Sequence, residues 1–337
     1  MLRAAIIGYG GIAQAAHLPA YRQLEQEGLV KLVAACDIAP ERFLKKIDIN
    51  IGEAQNEDMD ITYFTDAEAM LSACDVDLID ICLPTPLHAA TAADMLKRGY
   101  HVLSEKPMAR TWEEAQQMLC AARTSKGRLM IGQCLRFFPE YRYLKQVVEM
   151  NEFGRVLSAR FSRQSPPPLW GYENWFMDYE KSGGCLYDMH IHDIDMVRYL
   201  FGNPHSVKCA AADVYSGKDS VFSQLDYEGF PALVVGDWSL EGMEFRAEFC
   251  VAFEHATVVG ENGVVTVYPR GAASYQPELA KGAGVTEEIR YFLNIIESKQ
   301  ENMKNPPESA AQSVRLVSLL EESSNHGGRP VVLKEEV

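Results

Sequence analysis

Up to about residue 133, short apolar runs rich in β-branched and aliphatic residues alternate with stretches of helical periodicity. Ala4–Ile7, Lys31–Cys36, Leu78–Leu83, His101–Ser104 and Leu129–Gly132 read as strands, and residues 12–26, 40–47, 66–73, 87–98 and 112–125 read as the helices between them. Such alternation predicts an α/β fold, a parallel sheet wound on both faces. Thr65 with Glu68, and Thr111 with Glu114, fit the capping-box pattern and fix two helix starts. Beyond residue 150 the period changes to two: Val156–Gln164, Ser206–Tyr215, Ser220–Tyr227, Ala232–Leu240, Phe245–Glu254 and Val264–Tyr268 alternate as antiparallel strands do. Glu261-Asn262-Gly263 is a turn signal among them. Amphipathic helices at about 285–299 and 308–322 and a short strand, Pro330–Leu333, close the chain. The length exceeds what one core usually supports, and the change of pattern divides it into residues 1–133 and 134–337.

Composition narrows the partners. With 47% hydrophobic and 23% charged residues the chain carries enough apolar surface to fold, so long disorder is not expected. A net charge of −15 repels nucleic acid and anionic bilayers, and no Lys/Arg run offsets it. The first apolar run is too short for a signal-peptide core, and no later one reaches the length of a membrane span. The eight cysteines form no C-x-x-C pair and read as reduced thiols, which points to the cytoplasm and away from a thiolate metal site.

The first strand runs into Gly8-Tyr9-Gly10-Gly11-Ile12-Ala13, a G-x-G-x-x-A turn that opens a helix. Gly8 allows the tight turn, Gly10 lets main-chain N–H groups approach a pyrophosphate, and Ala13 lets the helix pack close. Asp37 closes the second strand, where a carboxylate bonds adenosine ribose hydroxyls and repels a 2′-phosphate. NAD rather than NADP is therefore expected, although Lys31, Arg42 and Lys45 are near enough in sequence to reach a phosphate.

Further motifs follow the strands: Pro84-Thr85-Pro86-Leu87-His88, Glu105-Lys106-Pro107, and Ser182-Gly183-Gly184-Cys185-Leu186-Tyr187-Asp188-Met189-His190-Ile191-His192-Asp193-Ile194-Asp195. With the glycine turn, these resemble the Gfo/Idh/MocA oxidoreductases, over nearly the whole chain. The resemblance implies a Rossmann domain followed by an α+β domain with an open, mostly antiparallel sheet. It implies cofactor contacts from Gly8, Gly10, Gly11, Ile12, Asp37, Pro84, His88, Glu105 and Lys106, and a catalytic group of Lys106, Asp188 and His192. His190 and Ser182 depart from the small residues common at their positions, which weakens any transfer of substrate identity.

The residue chemistry is consistent with that group. On a helix Asp188 and His192, four apart, share one face. An imidazole accepts the hydroxyl proton released as hydride leaves an alcohol carbon, and a nearby carboxylate orients it. The Lys106 ammonium stabilises developing alkoxide, and Pro107 suits a cis bond. Trp170 and Tyr172 could stack on a sugar, while core packing or a subunit contact would account for them equally well. His190 would line the pocket or pack outside it. The expected substrate is a neutral polyhydroxylated compound, a cyclitol or aldose. Rival readings are a transient redox cycle serving elimination or hydrolysis, and a non-catalytic NAD(H)-binding regulator. A metal site at His190 and His192 is not expected, because their directions on a helix differ by about 200°. The apolar outer faces of Ala232–Leu240 and Phe245–Glu254 predict a homodimer or homotetramer.

Overall fold

A computed structural model describes residues 1–47, 49–50, 60–282 and 284–333, which separate into two compact units. The first comprises Met1–Cys134 together with Pro168–Phe176 and Ala283–Val314. Its strands are β1 (Leu2–Ile7), β2 (Val30–Cys36), β3 (Thr62–Phe64), β4 (Leu78–Ile81), β5 (His101–Ser104) and β6 (Leu129–Ile131). They form one parallel sheet in the order β3-β2-β1-β4-β5-β6, a Rossmann arrangement. Ile7 pairs with Cys36 on one side and Ile81 on the other, so Gly8, Asp37 and Cys82 emerge together where the strand order reverses. Helices α1 (Leu18–Gln26), α2 (Ala67–Ala73), α3 (His88–Lys97) and α4 (Trp112–Thr124) connect the strands.

Several local expectations need correction. The strand Thr62–Phe64 carried no usable pattern, being a short edge with two exposed residues. The helix expected over 40–47 is a single 3-10 turn, Pro40–Phe43. At α2 the cap is Asp66, whose Oδ1 accepts from the Ala69 N–H, so the Thr65–Glu68 box is one residue out of place. Thr111 and Glu114 do form the reciprocal box that starts α4.

The last long segments cross the expected boundary at residue 133. On α5 (Pro139–Glu149) the chain has entered the second unit, but Ile289, Phe292, Leu293 and Ile296 return to the first core beside Tyr21, Leu24 and Leu32. Residues 134–337 are thus not one contiguous body. The apolar face of the helix Gly284–Ser298 finds its partner in α1, which periodicity alone cannot reveal.

The second unit comprises Leu135–Pro167, Met177–Gly282 and Arg315–Val337. It contains β7 (Val156–Gln164), α6 (Tyr179–Ser182), α7 (Gly184–Asp188) and α8 (His190–Phe201), then β8 (Ser206–Ala212), β9 (Ser220–Tyr227), β10 (Phe230–Asp237), β11 (Arg246–Phe253), β12 (Ala256–Glu261), β13 (Val264–Pro269) and β14 (Val331–Val332). The sheet order is β13-β12-β11-β7-β10-β9-β8-β14, antiparallel except for the β7–β10 pair. Strand β12 was not anticipated. The expected turn joins it to β13, with Asn262 (φ 46°) and Gly263 (φ 85°) both left-handed as a two-residue hairpin requires. Leu157, Phe222 and Leu233 remain exposed on the sheet. Among the described residues no helix is long and apolar enough to cross a membrane.

Candidate functional site

In the first unit the glycine turn is built by crowding. Gly8 has φ +95°, and a Cβ there would meet the Cys82 carbonyl oxygen at 2.6 Å, so only glycine permits this approach of β1 to β4. Ile12 then leads into a helix whose first turn, Ala13–His17, is a π turn closed by the Leu18 N–H on the Ala13 carbonyl. Pro19 has no N–H to give to Ala15, which accounts for the wider ring there.

Asp37 is locked against this turn. Its Oδ2 accepts from the Tyr9 N–H at 2.8 Å and its Oδ1 from the Ala39 N–H at 2.9 Å. Arg42 Nη1 lies 3.3 Å from Asp37 Oδ2, and its guanidinium stacks 4.6 Å from the Tyr172 ring centroid. A Cβ on Gly10 would stand 3.1 Å from Arg42 Nη1, and one on Gly11 would stand 3.0 Å from the Trp170 indole. Helix-start N–H groups and a fixed carboxylate at the end of β2 suit the pyrophosphate and ribose of a dinucleotide. Trp170 and Tyr172, for which sugar stacking, core packing and a subunit contact were open, lie against the glycine turn and Arg42. They belong with the first unit because Pro168–Phe176 packs there, with Trp170, Trp175 and Phe176 forming one aromatic cluster.

Pro84, half-buried, precedes a short turn into α3. His88 follows, and its role differs from the one expected: Nδ1 meets the Pro107 carbonyl at 2.8 Å and Nε2 the Leu83 carbonyl at 2.7 Å. The buried ring sits between two main-chain carbonyls, donates to one of them from its single N–H when neutral, and ties two loops together rather than reaching a cofactor. Burial pushes its pKa down. Across that tie lies the Lys106–Pro107 peptide, which is cis. Glu105 is buried, and its Oε2 accepts from the Lys106 N–H at 3.1 Å; Lys106 itself stays partly exposed.

Sequence reasoning missed what lies behind Glu105. His17 is fully buried, with Nδ1 at 2.7 Å from Asp80 Oδ2 and Nε2 at 2.9 Å from Glu105 Oε1. Burial opposes charge on His17, but Asp80 outweighs it and holds the pKa well above the ordinary value. For Glu105 burial is likewise outweighed, by His17 and Lys106, and its pKa is lowered. A signal was present: Asp80 interrupts the apolar run Leu78–Ile81 in a strand with every residue buried.

In the second unit the stretch Ser182–Val197 sorts its polar groups sharply. Only Asp188 and His192 keep partial exposure there; every other residue is buried. Asp193 is gripped by Arg163 through two bonds, 2.9 Å and 3.0 Å, and Asp195 by Arg136 through two more, 2.8 Å and 2.6 Å. His190 turns into the core, where Nε2 meets Ser223 Oγ at 2.8 Å and the ring packs on Gly236, so it does not line an open pocket. A metal set at His190, His192, Asp193 and Asp195 is not assembled, because the arginines occupy both carboxylates. Asp188 and His192 are not on one uninterrupted helix either. Asp188 ends α7, Met189 stands between, and the His192 N–H bonds Met189 in the first turn of α8.

Residues 2–133 match the profile "Oxidoreductase family, NAD-binding Rossmann fold", and residues 141–266 match the "GFO/IDH/MocA C-terminal domain". The chain belongs to the Gfo/Idh/MocA oxidoreductase family. This family member is 26% identical over 244 residues to 2,7-anhydro-N-acetylneuraminate hydratase of Mediterraneibacter gnavus, covering 72% of this chain and 62% of the relative. It is 32% identical over 149 residues to inositol 2-dehydrogenase of Rhizobium meliloti, covering 43% of each. The match therefore spans less than two thirds of either relative's length. A solved structure of levoglucosan dehydrogenase with NADH and L-sorbose superposes with a TM-score of 0.83 at 20% identity, covering 99% of both chains, a likeness of fold.

Proposed function

We propose that this Gfo/Idh/MocA protein is an NAD-dependent dehydrogenase that moves hydride between the cofactor and a hydroxyl-bearing carbon of a neutral sugar or cyclitol. The observation that carries the reading is the selective exposure of Asp188 and His192 in an otherwise buried motif of the second unit, taken with the partial exposure of Lys106 in the first. Bound nicotinamide supplies the hydride acceptor. His192 takes the hydroxyl proton, Asp188 orients the imidazole or holds a substrate hydroxyl, and Lys106 stabilises the alkoxide that forms. Gly8, Gly10, Gly11 and Ile12 hold the pyrophosphate, Asp37 the ribose, and Pro84 borders the ring site. Hydroxyl-rich, uncharged substrates suit this donor and acceptor set better than polyanions do, and inositol 2-dehydrogenase among the relatives supports that class.

Initial rates of NAD reduction across inositols, aldoses, sugar acids and trans-dihydrodiols test the reading. Activity confined to the acids or dihydrodiols would overturn the substrate class. A second reading is favoured by the hydratase relative: a transient oxidation with no net NADH. Product formed without NADH accumulation would select it, and tight NAD binding without turnover of any substrate would select a regulator. The exposed Leu157, Phe222 and Leu233 support self-association through the sheet's outer face. Light scattering at micromolar concentration should find a dimer or tetramer. No disulfide links any of the eight cysteines, which supports a reducing, cytoplasmic setting.

A further inference from the structure

The cluster behind Glu105 has no part in the reaction as drawn so far. His17 reaches it from the π turn, facing Asp80 on β4 and Glu105 after β5. Neutral imidazole has one N–H and one lone pair, so it could satisfy only one of these carboxylates and would set its lone pair against the other. With Glu105 held as a carboxylate by its lowered pKa, and with Asp80 facing the other nitrogen, acid oxygens at 2.7 Å and 2.9 Å call for both ring nitrogens to donate.

The remaining neighbours keep that charge in place. Cys82, whose Sγ lies 3.7 Å from Asp80 Oδ1, has its thiol pushed up to about 12 by burial and by Asp80, so it stays protonated. The buried Tyr21 phenol, one helical turn along from His17, is also pushed up, by burial and by Asp80. Gly132 leaves the space for Glu105, since a Cβ there would come within 3.0 Å of Glu105 Oε1. What results is an alternating line of charge: Asp80 negative, His17 positive, Glu105 negative, and Lys106 positive at the partly exposed end.

We propose that His17 is a positioning residue for Lys106. As a standing imidazolium it pins Glu105 by one carboxylate oxygen, which leaves the other to fix the Lys106 main chain and set the field at its ammonium. This rests on the role given to Lys106 above, but its tests do not depend on turnover alone. The competing use of the cluster is a metal site at His17, Asp80 and Cys82, whose ligand atoms lie within 4.8 Å of one another. Such an ion would need a lone pair on the ring that the proposal says is protonated.

Nitrogen-15 spectra of histidine-labelled, full-length, unliganded protein should show both His17 ring nitrogens protonated at neutral pH, where an ordinary imidazole is mostly neutral. A neutral ring at pH 7 overturns the proposal, as does a stoichiometric divalent ion in the purified protein. In His17→Gln and Glu105→Gln, acylation of Lys106 by a small activated ester, followed by mass spectrometry against pH, should shift its midpoint by about half a unit or more. Turnover should fall about tenfold or more with KM for NAD changed less than about threefold. If His17→Gln does not fold, Asp80→Asn keeps the shape and removes one carboxylate, and the His17 signal should then titrate at lower pH. Lys106 labelling that does not move in the folded variants overturns the positioning role. If Lys106→Ala leaves turnover intact, the proposed function fails while labelling and ring protonation still decide this one.

Discussion

Arg42 Nη1 stands 3.3 Å from Asp37 Oδ2, so the acid that would favour NAD carries its own counter-ion. Asp37 is buried and both its oxygens already accept main-chain N–H groups, which fixes the carboxylate rather than leaving it to swing away. A 2′-phosphate would bring negative charge against that fixed carboxylate, yet it would also find the Arg42 guanidinium beside it.

Two substitutions separate these effects. Asp37→Ser should raise NADP affinity relative to NAD by about tenfold or more, because it removes the repulsion and frees Arg42. Arg42→Ala in that background should abolish the gain. Calorimetry with both cofactors measures the order directly, and tighter NADP binding by the unaltered protein would reverse the assignment of Asp37.

Lys106 gives the second prediction. A group that stabilises charge only as it develops should affect turnover and leave cofactor binding nearly alone. Lys106→Ala should lower kcat by about two to four orders of magnitude with little change in NAD affinity. Lys106→Arg should not restore it, since the planar guanidinium is bulkier than an ammonium and holds its proton. Steady-state rates paired with NAD titration by fluorescence distinguish this from a folding defect.

His190 ties stability to pH. Burial alone pushes its pKa down to about 3, whereas in the unfolded chain it returns to about 6.5. Above the unfolded value neither state binds the proton and the group is silent. As pH falls below it, the unfolded state binds the proton first, so stability drops, by at most about 1.4 kcal/mol per pH unit, until the folded pKa is passed. His190→Gln should flatten that part of the curve between about pH 6 and 4, where Glu and Asp add a separate acid limb. Urea unfolding at several pH values tests it; equal slopes in both proteins would show that the ring is not buried neutral.

How far the sequence reached depended on the range of the interactions involved. Gly8, Asp37 and Lys106 sit in turns whose residue types are dictated within a few positions, and the strands that carry them were visible as apolar runs. The link from His17 to Asp80 spans 63 residues and that to Glu105 spans 88, and nothing local announces either. His190 and His192 could not be told apart by spacing, because the break at Met189 and the packing on Gly236 decide which one faces inward. Trp170 and Tyr172 were recognised as functional-looking aromatics, but their partners, Gly11 and Arg42, lie far away in the chain.

The arginine grip on Asp193 leads to the last prediction. Arg163 and Asp193 are both buried, joined by two bonds, and Arg163 Nη2 is also 3.1 Å from the Tyr141 hydroxyl. Two charges taken out of water recover their hydration loss only while each has the other. Asp193→Asn should therefore destabilise the protein by about 3–5 kcal/mol, since it removes the carboxylate charge that holds the buried guanidinium through two bonds. Arg163→Met combined with Asp193→Leu removes both charges and should cost markedly less than either single change. That non-additivity separates a buried ion pair from two independent packing contacts. It also bears on the site: Asp193 directly follows His192 at the start of α8, so a single charge-removing change should disturb turnover as well as stability, and the apolar pair should restore part of both. Chemical unfolding read beside the NAD-reduction assay tests this, and additive losses in the double variant would show that Arg163 and Asp193 do not act as a pair.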